Sequence, residues 1–220
     1  MKKYAIIVAG GLGLRMGTSI PKQYLEIDGT PIIILTIRKF LSIVPGVQII
    51  VVVPKSHRTF LDTAMQDHPV DGTILIAEGG DSRTASVQSG LSKIDGEGLV
   101  AIHDAVRPFV NEKTILASFH AAEQKGSGVA SVPLKDSIRE VLPEGQSQAR
   151  DRAKYVLVQT PQTFQVGLIK DAYSQIGQGT VHTDDATVLE KAGTAISLVE
   201  GSYENIKITT AEDLRFRPSL

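Results

Sequence analysis

A glycine-rich segment near the N-terminus combines flexible backbone with two nearby cations. Residues 9–17 read AGGLGLRMG and contain Arg15, and Lys22 follows within PKQYL at 21–25. Glycines let main-chain N–H groups approach phosphate oxygens without interference from a Cβ atom. Arginine binds phosphoryl oxygens through its fork of N–H groups, and lysine binds them as a point charge. The segment is therefore predicted to wrap a polyphosphate, which we favour over two solvated surface cations.

Two familiar phosphate-binding loops are excluded by the spacing of these residues. A dinucleotide fingerprint that starts at Gly11 needs a glycine at position 16, where Met16 stands. It also needs an acidic residue after the second strand, where residues 53–55 read VPK. A P-loop would end in Gly-Lys-Ser or Gly-Lys-Thr, which the segment lacks. A dinucleotide-dependent oxidoreductase is therefore disfavoured.

The composition excludes several other kinds of chemistry. The chain has 220 residues, no Cys and a formal net charge of -1. Without Cys there is no disulfide, no thiolate catalysis and no Cys-based metal centre. With a net charge this close to zero, the protein has no strong positive potential to attract nucleic acid or a membrane surface. Neither is therefore an expected partner. The apolar N-terminal run is broken at Gly10, too early for a secretion signal, and we expect a cytoplasmic protein.

Alternating strand and helix patterns must position the cations. Apolar, β-branched runs predict strands at 3–9, 48–53, 73–77, 99–102, 128–132 and 195–199. Longer patterns predict helices at 31–44, 55–66, 82–93, 112–125, 166–175, 183–192 and 211–217. This order predicts an α/β fold in a single domain, residues 1–220, with one doubly wound, mostly parallel sheet. In such a sheet the glycine-rich segment lies at the carboxyl end of a strand, where ligands bind.

One polar segment interrupts the alternation. Residues 143–145 read PEG, a turn signal, and the flanking segments 137–142 and 154–159 are predicted to form a protruding β-hairpin. Residues 136–157 are either a solvent-exposed excursion or an arm that joins a second subunit. Spacing alone leaves both interpretations open.

Five motifs in order resemble the 2-C-methyl-D-erythritol 4-phosphate cytidylyltransferases, a family of the sugar-nucleotidyltransferase superfamily. Besides the glycine-rich segment with PKQYL, they are GGDSRTASV at 79–87, HDAVRP at 103–108, QTPQ at 159–162 and NIKIT at 205–209. Ribitol-5-phosphate cytidylyltransferases share most of them, but TDDA at 183–186 followed by VLE at 188–190 favours the methylerythritol family. A nucleotide-binding module without catalysis is the second alternative.

The resemblance implies a Rossmann-like nucleotidyltransferase fold and transfer of a cytidylyl group from CTP to a small polyol phosphate, in non-mevalonate isoprenoid biosynthesis. The implied catalytic residues are four cations: Arg15, Lys22, Arg152 and Lys207. The residues implied around the nucleotide are Ala9, Gly10, Gly11, Gly13, Gly80, Asp81, Ser86 and Asp104. The residues implied around the acceptor are Asp104, Arg107, Ser137, Arg152, Thr160 and Lys207.

The chemistry of this reaction fits the residues. The acceptor phosphate is already anionic, so the main obstacle is repulsion between phosphates, which cations at the reacting centre relieve. Mg²⁺ is the expected cofactor, bound mainly through the triphosphate and without a metal site of the protein. Arg15 and Lys22 are expected to face solvent when no substrate is bound. Because Arg152 lies in the arm, a homodimer is expected, in which residues 136–157 complete the neighbour's site.

Three acidic residues each have a structural interpretation beside a functional one. Asp184 and Asp185 precede an apolar helix, and both are predicted to serve its N-terminus rather than to bind a metal. Asp104 is expected to contact the water shell of the metal ion or a substrate hydroxyl, with a cap on the following loop as the alternative.

Overall fold

The β-branched runs of the sequence form the strands of a central sheet. A computed structural model describes residues 1–11, 20–177, 182–216 and 218. The described strands are β1 (Lys3–Val8), β2 (Glu26–Ile27), β3 (Thr30–Pro31), β4 (Gln48–Val53), β5 (Ile74–Glu78), β6 (Leu99–Asp104), β7 (Ser127–Pro133), β8 (Ile138–Val141), β9 (Ser147–Arg150), β10 (Val156–Gln165) and β11 (Leu198–Glu200). The described helices are α1 (Ile32–Ile43), α2 (Arg58–Asp67), α3 (Arg83–Leu91), α4 (Glu112–Lys125), α5 (Val166–Ser174) and α6 (Asp185–Lys191).

The central sheet is mostly parallel, as predicted. Over the described residues its strand order is β11-β7-β10-β6-β1-β4-β5. β1 runs parallel to β4 and β6, β4 to β5, and β7 to β11. Only β10 is antiparallel to its neighbours, β6 and β7. The predicted α/β fold is confirmed.

Helices cover both faces of this sheet. On one face Phe40, Leu61 and Phe119, from α1, α2 and α4, pack in one buried cluster. On the other face Val87, Ile169 and other residues from α3, α5 and α6 form a second cluster. The sheet is therefore doubly wound. No helix among the described residues has the length and apolar character needed to cross a membrane.

Two predicted elements differ from the structure. The helix predicted at 211–217 is, in its described part, a short 3-10 turn at Glu212–Arg215. The carboxylate of Asp213 accepts hydrogen bonds from the main-chain N–H groups of Thr209 and Thr210, which favours a tight turn there. The last predicted strand begins later than expected, at Leu198.

The hairpin forms, but its second strand was predicted in the wrong place. β8 pairs with β9, at 147–150, rather than with 154–159. The segment 154–159 instead leads into β10, a strand of the central sheet that the prediction missed. Pro161 made β10 hard to recognise, because proline cannot donate to a strand ladder. It lies where the pairing of β10 with β7 is interrupted, since the register shifts between Val158 and Gln162.

The sheet has its switch point beside β1. From β1 the chain passes through α1 to β4 on one side, and later returns to β6 on the other side. The carboxyl ends of β1 and β6 are adjacent, with Val8 opposite Asp104 in the parallel register. In open α/β sheets, such a crevice is the usual place for a ligand.

Candidate active site

The first cavity of the site lies at the carboxyl ends of β1, β5 and β6 and measures about 300 Å³. Seven of the eight residues predicted around the nucleotide line it: Ala9, Gly10, Gly11, Gly80, Asp81, Ser86 and Asp104. Two of the predicted catalytic cations, Lys22 and Lys207, line it as well. Gly13 and Arg15 lie outside the described residues. Four of the five sequence motifs thus converge on one cavity.

Close packing explains the glycine and serine residues of one wall. A Cβ atom on Gly80 would lie 2.5 Å from the Cβ of Ala85, a distance that only glycine avoids. The Ser82 hydroxyl caps α3 by accepting from the N–H of Ala85 at 3.0 Å. Ser86, one turn later, donates to the main-chain oxygen of Gly80 at 3.4 Å. These contacts hold the N-terminus of α3, which favours anions, at the cavity.

Lys22 was predicted to face solvent, but it is buried. It is only 9% exposed, in a short turn whose next residues, Gln23 and Tyr24, are also buried. The Lys22 stem covers the glycine-rich backbone, since a Cβ atom on Gly11 would lie 3.6 Å from Lys22 Cε. Lysine can bury its methylene stem in this way while the ammonium group lines a polar cavity. The cation is therefore held close to the predicted phosphate-binding backbone.

A second cavity of about 300 Å³ adjoins the first. Four of the six residues predicted around the acceptor line it: Asp104, Arg107, Thr160 and Lys207. The other two, Ser137 and Arg152, lie exposed in and beside the hairpin and do not line either cavity. Arg152 donates to the main-chain oxygen of Lys135 at the base of the hairpin.

Asp104 is the electrostatic centre between the two cavities. Its Oδ2 lies 2.9 Å from Lys207 Nζ and 3.5 Å from Arg107 Nε. Burial alone would raise the pKa of this carboxyl group, but Lys207, Arg83 and Arg107 outweigh burial and hold the pKa well below its usual range. Asp104 is therefore a carboxylate at neutral pH, and it pairs with Lys207 at the boundary of the two cavities.

A network of buried amides, which the sequence analysis did not identify, fixes the acceptor residues. Asn205 donates to the main-chain oxygen of Thr160 at 2.8 Å and to Gln159 Oε1 at 3.2 Å. Its own main-chain oxygen accepts from Arg107 Nη1 at 2.7 Å. The Thr160 hydroxyl accepts from the N–H of Asp104 at 3.1 Å. The loop that carries Lys207 is thereby attached to the end of β6 and to the middle of β10.

The two adjacent acids after residue 183 have different roles. Asp184 caps α6 by accepting from the N–H of Thr187 at 3.0 Å, as predicted. Asp185, by contrast, is fully buried and accepts two hydrogen bonds from Arg83, at 2.9 and 2.5 Å. The Tyr173 hydroxyl also donates to it at 2.5 Å. The prediction for Asp185 was therefore incomplete, because its partner, Arg83, lies 102 residues earlier in the sequence.

Comparison with known proteins places the chain among close relatives. A sequence model of the family 2-C-methyl-D-erythritol 4-phosphate cytidylyltransferase matches residues 4–217. The protein of that name from Bacteroides thetaiotaomicron is 41% identical over 220 residues, which are 100% of both chains. The one from Bacillus velezensis is 37% identical over 222 residues, covering 100% of this chain and 96% of the relative.

Solved structures with the same fold carry the same family of names. The 4-diphosphocytidyl-2C-methyl-D-erythritol synthase from Anaerococcus prevotii is 28% identical, with a TM-score of 0.84 over 97% of this chain and 94% of that chain. The 2-C-methyl-D-erythritol 4-phosphate cytidylyltransferase from Thermus thermophilus is also 28% identical, with a TM-score of 0.78 over 97% and 96%. The residues of both cavities, from Val8 to Lys207, lie inside the matched range.

Proposed function

The chain belongs to the 2-C-methyl-D-erythritol 4-phosphate cytidylyltransferase family, and from this premise we propose how its residues perform the reaction. The enzyme combines CTP with 2-C-methyl-D-erythritol 4-phosphate to give 4-diphosphocytidyl-2-C-methyl-D-erythritol and pyrophosphate, a step of non-mevalonate isoprenoid biosynthesis. The observation that carries the assignment of residues is the pair of adjoining cavities that share Arg83, Asp104 and Lys207.

CTP occupies the first cavity and the acceptor the second. The first cavity offers glycine backbone, the N-terminus of α3 and Lys22, all of which suit a triphosphate. The second offers Arg107, Lys207 and the Thr160 hydroxyl, which suit a phosphate on a polyol. A phosphate oxygen of the acceptor attacks the α-phosphorus of CTP. The bond from that phosphorus to the β-phosphate oxygen breaks, and pyrophosphate leaves with the electron pair.

The cations lower the barrier by their placement. No proton has to be removed from the acceptor, because its phosphate is anionic at neutral pH. Negative charge collects on the α-phosphoryl oxygens, where Lys22 from the donor side and Lys207 from the acceptor side offset it. Arg15, by its place in the glycine-rich segment, acts with Lys22. Holding both phosphates in line supplies up to roughly 7–11 kcal/mol of the barrier.

Mg²⁺ is the proposed cofactor, carried by the triphosphate. Within the described residues, no group of three or more His, Cys, Asp or Glu side chains is placed to hold a metal ion. Asp81 and Asp104 line the first cavity, but Asp104 is already paired with Lys207. Mg²⁺ is often bound through one or two carboxylates and substrate phosphates, so Asp81 with the triphosphate fits this ion. When bound, it neutralises phosphate charge and orients the triphosphate.

A homodimer joined through the arm at 136–157 is the proposed assembly. The first residues of β10 expose large apolar side chains, with Val156 40%, Leu157 53% and Val158 42% exposed, and Val141 of β8 is 81% exposed. Large apolar side chains that stay exposed in this number are typical of an interface. Dimer formation would cover them.

The base of the arm is fixed to the loop that carries Lys207. The Tyr203 hydroxyl donates to the main-chain oxygen of Pro133 at 2.7 Å, and Lys135 Nζ lies 3.6 Å from the centre of the Tyr203 ring. Arg152 lies at the same base but outside the acceptor cavity of its own chain. We therefore propose that Arg152 reaches the acceptor site of the partner subunit. A cytoplasmic location stays a prediction.

Pyrophosphate release tests the function directly. The protein is incubated with CTP and Mg²⁺, and 2-C-methyl-D-erythritol 4-phosphate is compared with ribitol 5-phosphate as acceptor. We expect release with the first acceptor and formation of the corresponding cytidine diphosphate product. Release with ribitol 5-phosphate alone would change the substrate but keep the mechanism. CTP binding without release from either acceptor would favour the non-catalytic module.

A further inference from the structure

We propose that Arg83 binds the phosphates at the junction where donor and acceptor meet, as a further substrate-binding cation. The inference rests on the proposed function and adds a residue to its site. Arg83 belongs to the motif at 79–87, but neither the motif nor its spacing assigns it a role. The position of Arg83 between the two cavities is what indicates its role.

The product must span the boundary between the two cavities, with one part in each. Transfer joins the acceptor phosphate to the α-phosphate of CTP, so the new diphosphate bridge has one phosphate on each side. Three residues line both cavities: Arg83, Asp104 and Lys207. Asp104 is an anion and repels phosphate oxygens, which leaves Arg83 and Lys207 as the cations available to the bridge. Lys207 already has its proposed role, and Arg83 is the new member.

The structure holds the Arg83 guanidinium group in a fixed orientation. Its Nη1 and Nη2 each donate to one oxygen of the Asp185 carboxylate, at 2.9 and 2.5 Å. That carboxylate has a side-chain exposure of 0%, against 23% for Arg83. The Tyr173 hydroxyl holds the same carboxylate from another side at 2.5 Å. A rigid two-point contact of this kind leaves little side-chain entropy to be lost when a ligand binds.

Hydrogen-bonding capacity remains for a ligand. A guanidinium group has five N–H donors, and Asp185 uses two of them. In the described part of the chain, Asp185 is the only hydrogen-bond acceptor for Arg83. Burial acts to lower the pKa of Arg83, but Asp185 outweighs it and raises the pKa, so the charge is permanent. The remaining N–H groups are able to bind diphosphate oxygens from the boundary.

The alternative is that the Arg83–Asp185 pair only holds α3 against α6. The phosphate-binding role and this structural role both predict lower activity for a single substitution. Removing one partner of a buried ion pair leaves an unpaired charge and destabilises the fold. The two differ once both charges are removed. A neutral pair, as in the double variant Arg83→Gln/Asp185→Asn, restores the fold but not the cation.

The experiment compares ligand affinities and turnover in this double variant, in Arg83→Gln and in the wild type. For both variants we expect kcat to fall about 100-fold. The affinity for the product, 4-diphosphocytidyl-2-C-methyl-D-erythritol, should fall at least about 30-fold, because only the product carries the bridge. The Kd for CTP should change less than about threefold. Arg58→Gln, which removes an exposed arginine paired with Asp62, is the matched control and should behave as wild type.

The outcomes separate the inference from the function on which it rests. A wild-type protein without turnover overturns both. Normal wild-type turnover with a double variant that keeps kcat and product affinity within threefold overturns only the role of Arg83. If Arg83→Gln alone does not fold, the double variant decides, since its melting temperature should lie within a few degrees of wild type. Loss of CTP and product affinity in equal measure would also contradict a role at the bridge.

Discussion

The side-chain amide of Gln23 donates a hydrogen bond of 2.8 Å to the main-chain oxygen of Ala9. The same nitrogen lies 3.2 Å from Nδ1 of His57, which must be the acceptor because an amide nitrogen can only donate. His57 is therefore neutral, with its proton on Nε2, and burial lowers its pKa in support of that state. Gln23 thus attaches the turn that carries Lys22 to the end of β1.

Gln23→Ala should lower kcat, although Gln23 acts only by positioning the turn that carries Lys22. The substitution leaves the Ala9 oxygen without its partner and frees the turn that positions Lys22. We expect kcat to fall about tenfold or more, because small displacements of a catalytic group are costly. The free energy of unfolding should fall by only about 1–2 kcal/mol. Gln66→Ala, at an exposed position on α2, is the control for both measurements.

Stability should decrease as the pH falls below neutral, because His103 is buried. Burial lowers the pKa of His103 from 6.5 to about 4. Between these values the unfolded chain takes up a proton that the folded chain excludes, so stability falls with pH across this window and levels off below it. The full effect, at about 1.4 kcal/mol per pH unit, is roughly 3 kcal/mol. Urea unfolding between pH 7 and pH 4 measures it.

Substitution of His103 tests whether this residue causes the pH dependence of stability. His103→Gln keeps an N–H group that can donate to the Arg107 oxygen, which His103 Nε2 contacts at 3.1 Å. It should flatten most of the slope, while His57, whose pKa is also lowered, accounts for the remainder. His120→Gln, at an exposed position, should leave the slope unchanged. Asp104 acts in a separate, lower window, because its depressed pKa makes stability fall only below its usual pKa of 3.8.

Most of the fold was predictable because burial leaves a strong local signal. β4 reads QIIVVV, and such a run has few alternatives to a buried parallel strand. β10 was missed because its inner half, QTPQTF, carries amides and a proline where a central strand usually has apolar residues. Those polar side chains are buried because they form hydrogen bonds that hold the elements around the site. Gln162, for example, accepts from the N–H groups of Asp185 and Ala186 at the start of α6.

The site was predictable in its motifs but not in its supporting contacts. Gly80 and Lys207 stand in recognisable motifs, and both line the first cavity. The pairing of Arg83 with Asp185 spans 102 residues, and that of Gln159 with Asn205 spans 46. Spacing in the sequence carries no information about contacts between such distant residues. The sequence therefore predicted the residues that line the cavities better than the contacts that hold those residues in place.

Lys207→Ala should weaken acceptor binding far more than CTP binding. Lys207 Nζ lies 2.9 Å from Asp104, and its loss leaves this carboxylate to repel the incoming phosphate. We expect kcat/KM for the acceptor to fall about 100-fold or more, equivalent to roughly 3 kcal/mol. The CTP dissociation constant should stay within a few fold. Lys113→Ala, which removes an exposed lysine paired with Glu200, is the control. A loss of CTP affinity as large as the loss for the acceptor would contradict a role mainly at the acceptor.

Mixed dimers should recover the activity that two inactive variants lack. If Arg152 acts in the partner's site, a heterodimer of an Arg152→Ala chain and a Lys207→Ala chain contains one intact site and one doubly altered site. Random mixing makes half of the dimers heterodimers, so total activity should reach about a quarter of the wild-type value. The two variants are co-refolded or co-expressed, and pyrophosphate release is measured on the mixture and on each variant alone. If Arg152 served its own chain, every site in the mixture would carry one defect, and the activity would stay at the mean of the two variants.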